Sequence, residues 1–251
     1  STLMRSSAAS DVYKRQEEPD KIIEVLEDFF SAQKDLEKKK ILITAGPTYE
    51  KIDPVRFIGN YSSGKMGFAL AEACAERGAE VTLVAGPVSL KTHHPAIKRI
   101  DVESAGEMYQ AAMTAFPSSD AAILCAAVAD YRPENASEQK IKRETEREMT
   151  LHLVPNPDIA ASLGAIKREG QVMVGFALET NDEATHAEGK LKRKNLDFIV
   201  LNSLRDQGAG FRCDTNKITI IDNAGGVTSY PLKTKREVAC DIVNKLVTLL
   251  K

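Results

Sequence analysis

The stretch from Ile41 to Gly67, ILITAGPTYEKIDPVRFIGNYSSGKMG, gathers the side chains best suited to hold an anionic ligand. Glu50, Asp53, Arg56 and Asn60 lie on a polar segment behind the Gly46-Pro47 turn signal, and Ser62-Ser63-Gly64 leads into a helical pattern. A guanidinium suits a phosphate or a carboxylate, and an amide can hydrogen-bond either without attacking it. The unpaired N–H groups and positive dipole end of a helix N-terminus add a place for negative charge. Together these groups predict a phosphate-bearing ligand at the helix entrance. Each also has a plainer structural reading. Asn60 beside Gly59 suits a left-handed turn, Arg56 can pair with Glu50 or Asp53 at the surface, and the glycines can allow tight strand–helix packing.

These glycines match neither common nucleotide signature. From Gly59 to Lys65 the spacing differs from GxxxxGK[ST], Met66 stands where Ser or Thr is needed, and GxGxxG is absent. A dinucleotide fold expects an acid at the end of its second strand, which here ends in Ala85-Gly86-Pro87. Tyr61 and Lys65 have the spacing of a dehydrogenase Tyr-x-x-x-Lys pair, but the match crosses a glycine turn and reads as chance. An NAD(P)-binding Rossmann oxidoreductase is the alternative function.

Further along, Lys140 opens a charged run, KIKRE, whose plain reading is a solvated segment. Lys190 and Lys194 are spaced i, i+4, so one helix face can present both to a shared anion or pair them with Glu188 and its neighbours.

The elements that must position these groups follow from apolar patterning. Ile41–Thr44 is a short apolar run fit for a buried strand, and Met66, Ala69, Leu70, Ala73 and Cys74 mark one helix face ending near Gly78. Val81–Val84 completes a βαβ unit and implies a parallel sheet. Ala105 to Phe116 reads as a helix and Ala121–Cys125 as a buried central strand. Small residues after it, Ala126-Ala127-Val128-Ala129, let a ligand approach the backbone where open α/β sheets bind ligands. Thr150–Leu153 alternates like an exposed or edge strand, and Pro155-Asn156-Pro157-Asp158 starts a helix with Asp158 as N-cap. Strands at Val172–Phe176 and Phe198–Leu201 flank a helix from Asn181 to Arg193. A hairpin turns at Asp222–Gly226, and Arg236 to Leu250 closes the chain as a helix. The fold class is α/β: a doubly wound, mostly parallel, Rossmann-like sheet with a β-rich insertion or C-terminal subdomain.

Composition excludes several classes. A net charge of -2 argues against a nucleic-acid partner, and no apolar run is long enough to span a membrane. Cys74, Cys125, Cys213 and Cys240 form no CxxC pair, and Cys74, Cys125 and Cys240 read as buried free thiols. His93 and His94 beside Pro95 read as a solvated loop rather than a metal pair. Residues 1–16 have no helical period and no signal-peptide apolar region, and read as a disordered tail or one foreign to the native protein. Glu17 to Lys39 carries an apolar face of Ile22, Val25, Leu26, Phe29 and Phe30 and reads as a linker helix.

The ordered motifs ITAGPT, DPVR, IGNYSSGKMGFALA, VTLVAGPVSL, AAVADYRP, KIKRE, VPNPDI, VGFALET and KLKRKNLDFIV resemble bacterial phosphopantothenoylcysteine synthetase from about Lys40 to Lys251. That family is usually the C-terminal half of a bifunctional coenzyme A biosynthesis protein. EEPDKIIEVLEDFF resembles the end of the preceding decarboxylase half. The resemblance implies a cytoplasmic ligase that joins 4′-phosphopantothenate to L-cysteine through an acyl-cytidylate, using CTP and releasing pyrophosphate and CMP. Mg²⁺ is expected with the triphosphate, its protein ligands unidentified, and no flavin belongs to this half. The enzyme is expected to be a homodimer with its active site at the interface, the flap reaching across from the partner. Apolar positions near Phe198 and in the β-rich region are compatible with that interface.

The resemblance also assigns roles. Asn60, Lys140 and Arg56 match catalytic positions, with Asn60, Arg56 and Ala127 on the acid substrate. Asp130, Lys140, Pro157, Asp158, Ile159, Ala160, Phe176, Lys190, Lys194, Ser62 and Gly64 are assigned to the nucleotide. Arg143 replaces the last lysine of the family's flap motif, Pro155 stands where a basic residue is expected, and Tyr61 stands where histidine is expected.

Overall fold

The computed structural model describes residues 23, 34–142, 148–179, 189–203 and 213–250, apart from the side chains of Leu178, Glu179 and Ser203. The expected N-terminal tail, most of the linker helix, Arg143 and the first part of the helix from Asn181 lie outside them. The chain divides after Asp35 into two units, and the second, Leu36–Lys251, carries the elements described below.

Its centre is β1 (Lys40–Ala45), where every residue after Lys40 is buried. A strand covered on both faces needs apolar side chains throughout, which is why KILITA reads as an unbroken run. The chain leaves β1 through a short ribbon, β2 (Tyr49–Lys51) and β3 (Phe57–Gly59), and enters α1 (Lys65–Glu76). It then forms β4 (Glu80–Ala85), β5 (Ile97–Asp101), α2 (Ala105–Ala115) and β6 (Ala121–Leu124). A second ribbon, β7 (Tyr131–Pro133) with β8 (Leu153–Pro155), precedes α3 (Ile159–Ile166). The strands β9 (Val172–Glu179) and β10 (Phe198–Ser203) follow. The chain closes with β11 (Thr215–Asn216), β12 (Ile218–Asp222), β13 (Val227–Ser229), β14 (Lys233–Thr234) and α4 (Lys235–Leu249).

The main sheet runs β13-β12-β10-β9-β6-β1-β4-β5. All neighbours from β10 to β5 are parallel, and β12 and β13 add antiparallel strands at the far edge. The Asp222–Gly226 hairpin therefore extends the sheet itself. The separate β pieces are instead the β2/β3 and β7/β8 ribbons, which pack against each other, and the small β11/β14 pair. The strand expected at Thr150–Leu153 begins only at Leu153, where it pairs with β7.

Alternation along β1 sorts the core. Ile41 and Ile43 face the layer of α1 and α4, with Leu70, Cys74, Ile242 and Leu246, and Leu42 faces the layer of α2 and α3, with Met108, Phe116 and Leu163. Phe198 is fully buried in the first layer, so it has no surface for a partner. Cys240 is exposed because the buried stripe of α4 passes through Val238, Ala239, Ile242 and Val243 and misses it. Strand order reverses at β1: β4 and β5 lie to one side, β6, β9 and β10 to the other. The carboxyl ends of β1 and β6 flank this reversal, where such sheets open a crevice.

Candidate active site

Two adjoining chambers open at that crevice. The wider, about 550 Å³, is lined by residues of the Asp130, Asp158, Phe176, Lys190 and Lys194 neighbourhoods. The narrower, about 420 Å³, is lined by Asn60, by Ser62 to Gly67 and by Cys125, Asn202, Asn216 and Lys235. Ala126, Val128, Asp130, Phe176 and Lys190 line both, so they form the common wall.

Most of that wall is the loop after β6, Cys125 to Asp130, whose backbone is tied down along its length. The β1 side holds it through Thr44, whose hydroxyl accepts from Ala126 N–H at 3.3 Å, and Gly46, whose carbonyl accepts from Ala127 N–H at 2.9 Å. The buried Thr48 hydroxyl accepts from Ala129 N–H at 3.0 Å. The Asn60 amide donates to the Ala127 carbonyl, and the Asn156 amide to the Ala129 carbonyl, each at 2.9 Å. Short side chains at Ala126, Ala127 and Ala129 leave this backbone approachable while its partners keep it rigid.

The narrower chamber is built around the start of α1. Gly64 caps it at φ 77°, left-handed backbone that glycine adopts without a Cβ clash, and no side chain caps the helix. Gly67 sits so close to β1 that a Cβ would lie 2.5 Å from that of Ala45. The uncapped N-terminus and its close seat on β1 put helix N–H groups at the chamber. Ser62 and Gly64, grouped with the nucleotide from sequence, line this chamber together with Asn60 and Ala127.

Two lysines absent from the sequence reading of the site also line it. Lys65 opens α1 and pairs with Asp214 at 2.6 Å. Lys235 opens α4, is only 7% exposed, and donates to the Cys213 carbonyl at 2.5 Å. Burial pushes the Lys235 ammonium below its usual range, and the Lys65 charge pushes it further. A cation in the first turn opposes the helix dipole. Two such lysines, on two helices meeting at one chamber, are a local rule broken twice. That signal was present in the sequence at GKMG and TKRE. Beside them Cys125, expected to be buried, is half-buried against the chamber, and burial pushes its thiol up to about 12, which disfavours the thiolate.

In the wider chamber Asp158 caps α3, accepting from Ala161 N–H at 3.0 Å, and also meets the Lys194 ammonium at 3.1 Å. Burial raises the Asp158 pKa, but N–H donation by Ala161, the Lys194 partner and Ala160 N–H outweigh it and leave the carboxyl below its ordinary value. Pro157, Ile159, Ala160, Phe176 and Lys190 complete the sequence-derived set on this side, with the exposed Asp130 at the border.

Arg56 and Lys140 line neither chamber. Arg56 is held by Asp53 and by the Ile141 carbonyl, and Lys140 is exposed on the adjacent segment. Among the described residues no group of three or more His, Cys, Asp or Glu could hold a metal, and no helix is long and apolar enough to cross a membrane.

Similarity to known proteins accords with this architecture. A relative of unknown prokaryotic origin named cysteine/cysteine sulfinic acid decarboxylase is 55% identical, over 94% of this chain and 67% of its own length. The coenzyme A biosynthesis bifunctional protein CoaBC of Vibrio parahaemolyticus is 48% identical over 94% of this chain but 59% of its own, so this chain spans about three-fifths of that relative. The crystal structure of a CoaBC C-terminal domain superposes with a TM-score of 0.73 at 40% identity, covering 86% of this chain and 98% of that one. The family model for the C-terminal domain of DNA/pantothenate metabolism flavoproteins matches residues 36–250. With a fold, a crevice and a near full-length match in agreement, the chain belongs to the DNA/pantothenate metabolism flavoprotein C-terminal domain family.

Proposed function

We propose that this domain is the phosphopantothenate–cysteine ligase of a cytoplasmic coenzyme A biosynthesis protein. A carboxylate does not release oxygen to an amine, so it must be activated first. In this reading the carboxylate of 4′-phosphopantothenate attacks the α-phosphorus of CTP and pyrophosphate leaves. The amine of cysteine then attacks the acyl carbon, CMP departs with the former carboxylate oxygen, and the nitrogen loses a proton to solvent. Such chemistry needs reactants aligned and charge stabilised rather than a protein nucleophile.

The observation that carries this reading is the pair of chambers sharing one wall. The wider one, with Asp158, Lys190 and Lys194, takes the nucleotide. The narrower one takes the phosphorylated acid, with Ser62, Gly64, Lys65 and Lys235 at its anionic end and Asn60 and Ala127 nearer the carboxylate. The α-phosphorus then lies at the Ala126–Asp130 wall, where the two ligands meet. Mg²⁺ would be held chiefly by triphosphate oxygens and water, since no protein cluster of three ligands is present among the described residues. When bound it would neutralise phosphate charge.

A homodimer belongs to the same reading, supported by Val55, Phe57, Tyr131 and Leu153, apolar side chains left exposed on or beside the two ribbons. A decarboxylase half would complete the full-length protein. The decarboxylase name of one relative goes with a protein of which about a third has no counterpart here.

The test is pyrophosphate release from CTP or ATP with 4′-phosphopantothenate, with and without cysteine. The reading predicts release from CTP that requires the acid and turns over fully only with cysteine. Release from ATP alone would overturn the nucleotide assignment, and release from neither would overturn the ligase.

A further inference from the structure

The Asp53 carboxylate is 2% exposed although its neighbours Pro54 and Val55 lie at the surface. One oxygen accepts from the N–H groups of Val55 and Arg56, both at 2.8 Å, which closes the local turn. The other accepts from Arg56 Nε at 2.9 Å and Nη2 at 2.5 Å, and from the Ile141 N–H at 3.2 Å. Arg56 Nη2 in turn donates to the Ile141 carbonyl at 3.1 Å. Ser137 N–H donates to the Ile52 carbonyl at 2.9 Å. Two segments far apart in sequence are thus clasped at both ends of a short span. Lys140 lies within that span, next to the doubly held Ile141. These contacts use Nε and Nη2 of Arg56 and leave Nη1 out of the clasp.

We infer that Asp53 is a positioning residue that joins the Arg56 loop and the Lys140 segment into one unit, so that the two cations are placed together. The inference rests on the ligase reading for its functional consequence, but not for the clasp itself. A buried carboxylate with one oxygen closing its own turn and the other bridging to a second segment divides its work cleanly. Asp53→Asn separates the two jobs. Its amide oxygen can still accept from Val55 and Arg56 N–H, while its amide nitrogen faces the Arg56 and Ile141 donors and repels them. Charge-assisted bonds to a buried acceptor are the strong kind, and leaving their donors unsatisfied is costly.

The test has a kinetic and a reaction-independent arm. In the kinetic arm, pyrophosphate release from CTP is measured for wild type, Asp53→Asn, Lys140→Ala and the double variant. Asp53→Asn is expected to lower kcat roughly tenfold with the KM for cysteine unchanged, and to lower it by clearly less once Lys140 is gone, only the part exerted through Arg56 remaining, since residues acting through one another are non-additive. Effects of the two changes that simply multiply would overturn the inference. In the second arm, hydrogen exchange follows the Ser137 and Ile141 amides. Both are expected to be protected in wild type, with Ile141 protection lost in Asp53→Asn while the amides of the central strand Ile41–Thr44 stay protected. Rapid exchange of Ile141 in wild type would overturn the clasp without any variant that must fold. A wild type that shows protection but consumes no nucleotide would instead overturn the ligase reading and leave the clasp standing.

Discussion

The side-chain amide of Asn60 donates to the main-chain carbonyl of Ala127 across 2.9 Å and so bridges the segment between β3 and α1 to the loop that leaves β6. One side chain thereby fixes the wall between the two chambers from the narrower side. Asn60→Asp puts a carboxylate against that carbonyl, two acceptors facing each other. Pyrophosphate release is expected to persist in this variant while amide product falls by roughly 100-fold, the scale of losing one positioned donor near reacting atoms. The ratio of product to pyrophosphate reads the effect. An unchanged ratio would remove Asn60 from the transfer step.

Asp158 is both the cap of α3 and the partner of Lys194. Asp158→Asn keeps an acceptor for Ala161 N–H, whereas Asp158→Ala loses it and should cost about 1 kcal/mol of stability. Thermal unfolding should therefore separate the two variants. Lys194→Ala is expected to raise the KM for CTP several-fold and leave the KM for cysteine alone. Equal changes in both would contradict the assignment of this chamber.

The Asp53 carboxyl is held well below the ordinary range, first by the Arg56 side chain and then, against burial, by the Val55, Arg56 and Ile141 N–H groups. A folded-state pKa below the unfolded value of 3.8 means that the unfolded chain binds more protons between the two values. The stability from this group is thus complete above that unfolded value and is lost only as pH falls through the folded one. The stability gap between wild type and Asp53→Asn is expected to be flat from neutral pH down to the ordinary carboxylate range and to shrink below it. Denaturant unfolding at a series of pH values checks this. A gap that closes near neutrality would contradict it.

Gly67→Ala would bring a Cβ to 2.5 Å from that of Ala45 and 3.1 Å from its Cα. The helix must shift off β1, which overpacking data place at about 1–3 kcal/mol. Because α1 carries Lys65 and the chamber's N–H groups, the KM for 4′-phosphopantothenate should rise along with the loss of stability. A variant as stable and as active as wild type would show that the helix seat is looser than its geometry.

The strands that carry the fold were legible because burial on both faces demands apolar runs, as in Ile41–Thr44, Val81–Val84 and Ala121–Cys125, the last ending one residue earlier in the structure. Edge strand β5, IKRID, escaped notice because its exposed positions are charged and no run remains. The two ribbons escaped for another reason: three-residue strands such as Leu153–Pro155 are too short to show a period. Cys240 was misjudged as buried because its helix was recognised but its phase on that helix was not followed. The wider chamber draws on Asp130, Asp158, Phe176 and Lys194, groups visible as motifs. Lys235 was missed because it reaches the site only through the convergence of α1 and α4, which no local window contains. The clasp between Asp53 and Ile141 is equally tertiary, and only its local half, Asp53 with Arg56, could be read from DPVR.

The most direct measurement of the central claim is the fate of the carboxylate oxygens. 4′-Phosphopantothenate labelled with ¹⁸O in both carboxylate positions is turned over with CTP and cysteine, and the products are analysed by mass spectrometry. The account predicts one ¹⁸O in CMP and one retained in the new amide, because the oxygen that attacks the α-phosphorus leaves with it. Label in inorganic phosphate and none in CMP would place activation at the γ-phosphorus and contradict the acyl-cytidylate.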